Sequence, residues 1–284
     1  MRVPFLNSRI MPFGIESALT NQKNLILALT WRRLFIRGNR VFANSIPKSG
    51  THLLNRCLSL MPGMAMAGQH LNVKRNVSKK ETTLKNIGGG CIVTAHLPYS
   101  DEEWMKLDRM GYKQVLMIRD PRDLIISQYH FITKRPIALL YSYFARLPDD
   151  NARLMAVIHG VPASESPYGI GFPDIRTRFS RYLEWAKHGS HVVRFENLVG
   201  ERGGGSKELQ LTEIEELARF VGISLSNSEV ETIAGQAFDR DAKTFRKGEI
   251  GDWRNTLSEA HKQILKELIG PVLIDLGYEQ NLNW

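Results

Sequence analysis

Cysteine is scarce: Cys57 and Cys91 are the only two in 284 residues, and they form neither a C-x-x-C pair nor a metal-ligand spacing. A disulfide scaffold is therefore excluded, and a reducing cytoplasm is the expected compartment. Long apolar runs are missing too. The run Leu25 to Leu29 falls far short of the roughly 20 residues that a spanning helix needs, and no small-residue cleavage site follows it. Neither a signal peptide nor a transmembrane segment is expected. Acidic residues are outnumbered, 29 against 38 Lys and Arg, which leaves a formal charge of +9. Such an excess suits an anionic ligand or surface but says nothing about fold. No repeat, coiled coil or low-complexity tract interrupts the chain.

What is present suffices for a substantial core, since 43% of the residues are hydrophobic. Short apolar runs at Val41–Ile46, Cys91–Ala95, Gln114–Ile118 and His191–Phe195 read as buried strands. Stretches of helical spacing lie between them, such as Phe179, Tyr182, Leu183 and Ala186, or Ile214, Leu217, Ala218 and Val221. Strands alternating with helices predict an α/β fold, a parallel sheet with helices on both faces. The spacing places a single domain over residues 41–284, preceded by a helical extension over 1–40 that packs on or near it. Pro148 to Pro173, with four prolines and three glycines, reads as a long irregular segment suited to a lid, and Gly203-Gly204-Gly205-Ser206 as a flexible surface connection.

The first predicted strand runs into Pro47-Lys48-Ser49-Gly50-Thr51-His52, after which Leu53, Leu54, Cys57, Leu58 and Met61 recur at helical spacing. A loop joining the end of a strand to the start of a helix gathers free N–H groups and the positive end of the helix dipole, so an anion is expected there. The order G-x-x-x-x-G-K-[ST] of ordinary nucleotide loops is not met, because Lys48 precedes the only glycine.

Three more segments carry chemistry. In VLMIRDPRDLIISQYHF, Arg119 ends a strand, Asp120 can cap the next helix, Pro121 suits its first position and Ser127 lies two turns along. Arg119 can grip a phosphate through paired hydrogen bonds, or instead pair with Asp120 or Asp123. TFRKGEIGDWRNTL brings Arg246, Lys247 and Gly248 together in a turn-rich stretch, where Trp253 reads as a packing residue. VTAHLP sets His96 at a strand end.

In this order the segments resemble the nucleotide-binding elements of the soluble, cytosolic-type sulfotransferases that use 3′-phosphoadenosine 5′-phosphosulfate (PAPS). The resemblance runs from about Val41 to Trp253 and implies a P-loop-like α/β domain. It implies that Pro47, Lys48, Ser49, Gly50, Thr51 and His52 cradle the 5′-phosphosulfate. Arg119 and Ser127 would bind the 3′-phosphate, together with Arg246, Lys247 and Gly248. His96 would be the general base, with Lys48 as its catalytic companion. Adenosine 3′,5′-bisphosphate (PAP) would be the product, and no metal is required. Leu53 stands where many members carry an adenine-stacking tryptophan, so Phe195 and Phe238 become the candidates for that contact. Thr94 replaces the lysine expected two residues before His96, and no dimer motif is recognisable. The expected acceptor is a small molecule, a glycan or a carrier-bound intermediate, its pocket surrounded by residues 61–90 and 129–173. A kinase-like phosphotransferase, or a non-catalytic nucleotide- or nucleic-acid-binding protein, remains the alternative, although no recognition helix or aromatic RNA motif occurs.

Overall fold

A computed structural model of the chain describes residues 38–136, 138–167, 169–238 and 248–284. The expected helical extension lies outside these residues except for its last three, and Arg246 and Lys247 lie outside them altogether. The described residues contain five strands, β1 (Arg40–Ser45), β2 (Ala65–Asn72), β3 (Cys91–His96), β4 (Tyr112–Ile118) and β5 (His191–Arg194). Helices α1 (Thr51–Leu60), α2 (Val77–Lys85), α3 (Asp101–Arg109) and α4 (Pro121–Thr133) alternate with the first four strands. Then come α5 (Tyr141–Ala145), α6 (Asp150–His159), α7 (Ile175–Lys187) and, after β5, α8 (Phe195–Leu198). The chain continues through α9 (Lys207–Phe220), α10 (Asn227–Ala237), α11 (Trp253–Thr256) and α12 (Glu259–Asp275).

The strands form one parallel sheet in the order β2-β3-β1-β4-β5. Because β1 is central and buried on both faces, its successive side chains feed two cores. Phe42 packs with Leu116, Leu124, Phe179 and Trp185 on the side of α4 and α7. Val41 and Ala43 pack with Leu54, Leu58 and Ile214 on the side of α1 and α9. Each buried Val, Leu, Ile or Phe among them contributes about 1.5–3 kcal/mol. The expected α/β fold with helices on both faces is thus the one observed. No helix among the described residues is long and apolar enough to cross a membrane, and both cysteines are buried and outside any disulfide.

The structure differs from the sequence reading in three places. The strand β2 was not expected: its sequence, AMAGQHLN, has no β-branched or aromatic residue, and it lies at the edge, pairing with β3 alone through an irregular register. The supposedly irregular Pro148–Pro173 stretch begins with α6, capped by Asp149 and anchored by Leu154, Val157 and Ile158 on one face. Gly203 is not part of a loose connection. It is buried, and a Cβ there would stand 2.5 Å from the Gly248 carbonyl oxygen.

The connection that leaves β1 runs to β2 on one side of it, whereas the connection from β3 crosses β1 to reach β4 on the other side, so the winding of the sheet reverses at β1. In open parallel sheets such a reversal, outside the carboxyl ends of the strands, is where ligands bind. The loops after β1, β3 and β4 all open there.

Candidate active site

The loop after β1 is braced from within. The Ser49 N–H donates to the Ile46 carbonyl at 2.9 Å, and the fully buried Ser49 hydroxyl donates to the Met117 carbonyl of β4, also at 2.9 Å. Pro47 accepts from the Gln128 side chain of α4 at 3.5 Å. Lys48 sits at φ 79°, the one described non-glycine residue in left-handed territory. This conformation costs about 1–2 kcal/mol and persists because the surrounding structure enforces it. Its ammonium lies 4.4 Å from the centre of the Phe131 ring. Gly50 has φ 109°, and a Cβ there would stand 2.7 Å from Phe195 Cδ2 and 2.9 Å from Met117 Cε. Only glycine fits.

The helix that follows is distinctive in its first turn. Among the described residues, every other helix of nine or more residues has a side chain accepting a hydrogen bond from its amino end: Asn76, Ser100, Asp120, Asp149, Asp174, Ser206, Ser226 and Ser258 serve in turn. Helix α1 begins after Gly50 with no side-chain cap, leaving the positive end of its dipole open to an external anion. Thr51 turns its hydroxyl to the Ser45 hydroxyl at 2.7 Å, and His52 is exposed.

His96 ends β3 beside this loop. Its Nδ1 lies 2.9 Å from the Ser45 carbonyl oxygen and 3.2 Å from the Ser45 hydroxyl. A carbonyl can only accept, so Nδ1 carries the proton and Nε2 keeps a lone pair. Burial lowers the His96 pKa from 6.5 to about 4, against the opposing effect of the Ser45 bond, with His70, Lys48 and His52 adding to the depression. The strand ends are held together by Asn44, whose side chain donates to the Leu97 carbonyl at 2.8 Å and accepts from the Leu97 N–H at 3.0 Å. Beside it, His70 of β2 meets His96 edge-on, with ring centres 5.0 Å apart. His70 Nδ1 is 2.8 Å from the Thr94 hydroxyl, and burial lowers its pKa.

Arg119 forms the other corner, just past β4. Its Nη2 donates to the Glu249 carbonyl at 2.7 Å and lies 3.5 Å from Asp123, so the pairing with Asp123 is realised, though loosely. Its guanidinium stacks 4.2 Å above the Phe195 ring, and its buried Nε has no hydrogen-bond partner. Asp123 also accepts from the N–H groups of Gly251 and Trp253 at 2.7 and 3.1 Å, which fastens the stretch after Gly248 beside Arg119. Ser127 is half-buried on α4, and Phe238 closes α10 against the core on the α1 side. Trp253 is buried against Arg122 and is a packing residue.

The structure therefore brings the Pro47–His52 loop, His96, Arg119 and Phe195 to one end of the sheet. The sequence reading named Asp123 as a partner of Arg119 but not its bonds to Gly251 and Trp253, and it missed two supporting residues. Asn44 carried a signal, as a polar residue inside a buried strand; His70 carried none.

A loop ending in an uncapped helix, an arginine corner and a histidine with a lone pair on Nε2 thus meet at one end of the parallel sheet. The sulfotransferase domain family matches residues 38–238, and the chain belongs to that family. Sulfotransferase 6B1 of Danio rerio is 25% identical over 196 residues, which cover 61% of this chain but only 55% of that protein. Sulfotransferase 4A1 of Homo sapiens is 23% identical over 260 residues, covering 83% of this chain and 82% of the relative. Among solved structures, mouse sulfotransferase SULT7A1 complexed with PAP superposes with a TM-score of 0.60 at 20% identity, over 88% of this chain and 91% of that one. Retinol dehydratase in complex with androsterone and the inactive cofactor PAP gives 0.55 at 17% identity, over 89% and 86%. At these identities the structural likeness concerns the fold.

Proposed function

We propose that the chain transfers a sulfuryl group from PAPS to a hydroxyl or amine of a small-molecule, glycan or carrier-bound acceptor, with His96 as general base. One observation carries the reading. Ser45 joins the two halves of the site, its hydroxyl lying 2.7 Å from Thr51 at the open end of α1 and its carbonyl 2.9 Å from His96 Nδ1. The base is thereby held next to the anion cradle.

The residues fit such a donor at both of its anionic ends. The uncapped amino end of α1, with Pro47, Lys48, Gly50, Thr51 and His52, would hold the 5′-phosphosulfate, while Ser49 braces the loop. Arg119, with its unpartnered buried Nε, would hold the 3′-phosphate together with Ser127, Gly248, Arg246 and Lys247. Phe195 and Phe238 would flank the adenine. When bound, PAPS supplies the sulfuryl group and departs as PAP.

The chain's own residues do the rest. Lys48 adds positive charge beside the 5′ end, which favours a phosphate of growing negative charge. A pKa near 4 keeps His96 neutral at physiological pH, so its Nε2 can take the acceptor's proton. The Ser45 carbonyl then stabilises the imidazolium through the Nδ1 bond. His70 meets the His96 ring edge-on, and His52 lies on the first turn of α1.

Binding to immobilised PAP with ATP as competitor tests the donor. A mass-spectrometric search for a gain of SO₃ on candidate acceptors, with PAPS supplied, tests the reaction. Elution by ATP at concentrations comparable to PAP would favour a phosphotransferase instead.

A further inference from the structure

Arg122, on the first turn of α4, is 1% exposed although it carries a full charge. Its partners explain how. Asp120 accepts from Nε at 3.0 Å and from Nη2 at 2.8 Å, and Glu279 accepts from Nη1 at 2.5 Å. The guanidinium also sits in the corner made by two perpendicular indoles, 3.8 Å from the centre of the Trp253 ring and 4.5 Å from that of Trp284. Two of these four partners, Glu279 and Trp284, belong to the segment that follows α12.

That segment is aimed by its own backbone. Gly277 adopts φ 71°, and the N–H groups of Gly277 and Tyr278 bond back to the Ile274 and Leu273 carbonyls at 2.9 and 2.8 Å, a left-handed helix end that reverses the chain. Tyr278 then donates its hydroxyl to Glu196 at 3.1 Å, and the other Glu196 oxygen accepts from the Asp120 N–H at 2.8 Å. Arg194 reinforces the dock, donating to the Leu276 carbonyl at 2.6 Å. Apart from bonds back to the end of α12 and the Lys266 ammonium over Trp284, these contacts end beside the Arg119 corner. Asp120 follows Arg119 in the chain, Glu196 follows the Phe195 on which Arg119 stacks, and Trp253 ends the stretch that Asp123 fastens beside it.

We propose that the segment after α12, through Tyr278, Glu279 and Trp284, positions the Arg119 corner and thereby sets the preference for a nucleotide bearing a 3′-phosphate. The proposal rests on the nucleotide reading given above. None of the three touches the ligand; they are positioning residues, acting through Arg122 and Glu196. A neutral or truncated partner frees Arg122 and Asp120 to repack, and the guanidinium of Arg119 loses its fixed direction. Groups that share one buried network commonly couple in this manner.

The test compares binding of PAP and of adenosine 5′-monophosphate, which lacks the 3′-phosphate, by calorimetry on the full chain. Wild type must prefer PAP; if it does not, the nucleotide reading itself fails. Given that preference, Glu279→Gln and Trp284→Ala should each reduce it by about tenfold, with affinity for the monophosphate held within about twofold. Trp284→Phe, which keeps a ring over Arg122, should restore most of it. Thermal unfolding of each variant confirms that binding is read on folded protein. Equal weakening of both nucleotides would reduce the segment to a structural prop, and an unchanged preference would likewise overturn the proposal.

Discussion

The Nδ1 of His96 is 2.9 Å from the Ser45 carbonyl oxygen, and this contact fixes which ring nitrogen is free to act. Were the proton on Nε2, two lone pairs would face each other across that distance. The contact joins the last residues of two adjacent strands, and Asn44 locks the same pair of strand ends one residue earlier. His96→Ala should therefore lower kcat by about 10²–10⁴-fold and leave PAP affinity within a few fold. The loss should shrink as the acceptor hydroxyl becomes more acidic, since an ionised phenol needs no base. Near-normal turnover of a high-pKa alcohol by the variant would remove His96 from the mechanism.

The depressed His96 pKa makes a second, independent prediction. Its folded value of about 4 lies below the ordinary 6.5. The active, neutral form consequently survives well below pH 6, and the acid limb of the kcat/KM profile should fall near pH 4–5 rather than near 6.5. The His70 imidazole opposes a second positive charge nearby, so His70→Gln should move this limb toward neutrality. A wild-type limb already at 6.5 would show that His96 is not depressed in the working enzyme.

Arg119 is expected to discriminate rather than merely bind. Its exposed face is small and its Nε unpartnered, so the group it awaits is specific. Arg119→Ala should weaken PAP by about 1.5–3 kcal/mol, the worth of a charge-assisted bond, while sparing an analogue without the 3′-phosphate. Equal losses for the two ligands would place Arg119 away from that phosphate.

How far the sequence made this site legible follows from the range over which each residue acts. The loop, His96 and Arg119 were readable because their setting is local: an apolar run, a break, then helical spacing. The same holds for the four buried strands with branched residues. Asn44 acts on Leu97, 53 positions away, and Asp123 on Gly251, 128 positions away, and no local pattern encodes a partner at that separation. β2 was hidden because an edge strand of Ala, Met, Gly and Gln is held by its neighbour rather than by its own propensity. His70 was hidden with it. The helix α6, by contrast, was available to reading: Asp149 precedes Leu154, Val157 and Ile158 at helical spacing, and the flanking prolines and glycines outweighed it.

Gly50 and Gly63 separate strain from crowding. Both have positive φ, 109° and 76°, but a Cβ on Gly63 meets nothing within 4 Å, whereas on Gly50 it meets Phe195 and Met117. Gly63→Ala should cost only the backbone term, about 1–2 kcal/mol, with nucleotide binding intact. Gly50→Ala should destabilise more and should also abolish measurable PAP binding, because Phe195 cannot yield without disturbing Arg119. Chemical denaturation paired with calorimetry reads both effects, and equal behaviour of the two variants would refute the crowding argument.

Glu196 offers a pH-dependent test of the corner behind Arg119. Its burial raises the carboxyl from 4.5 to about 6, with the bond from the Asp120 N–H acting the other way. The sign follows from linkage. A folded pKa above the unfolded one means that the folded state binds the proton more tightly, so the stability contributed by this group is complete below about pH 4.5 and is lost as pH rises through 6. At pH 7–8 the ionised, half-buried carboxylate is a liability of about 1–2 kcal/mol. Glu196→Gln removes that liability while keeping a carbonyl for the Asp120 N–H and an amide that can donate to the Tyr278 oxygen. The variant should therefore equal or exceed wild type in stability at pH 8, and the gap between them should narrow or reverse toward pH 4.5. Urea unfolding at several pH values measures this directly. Two curves that run parallel across the whole range would mean that Glu196 titrates normally and that the buried network does not hold it as described.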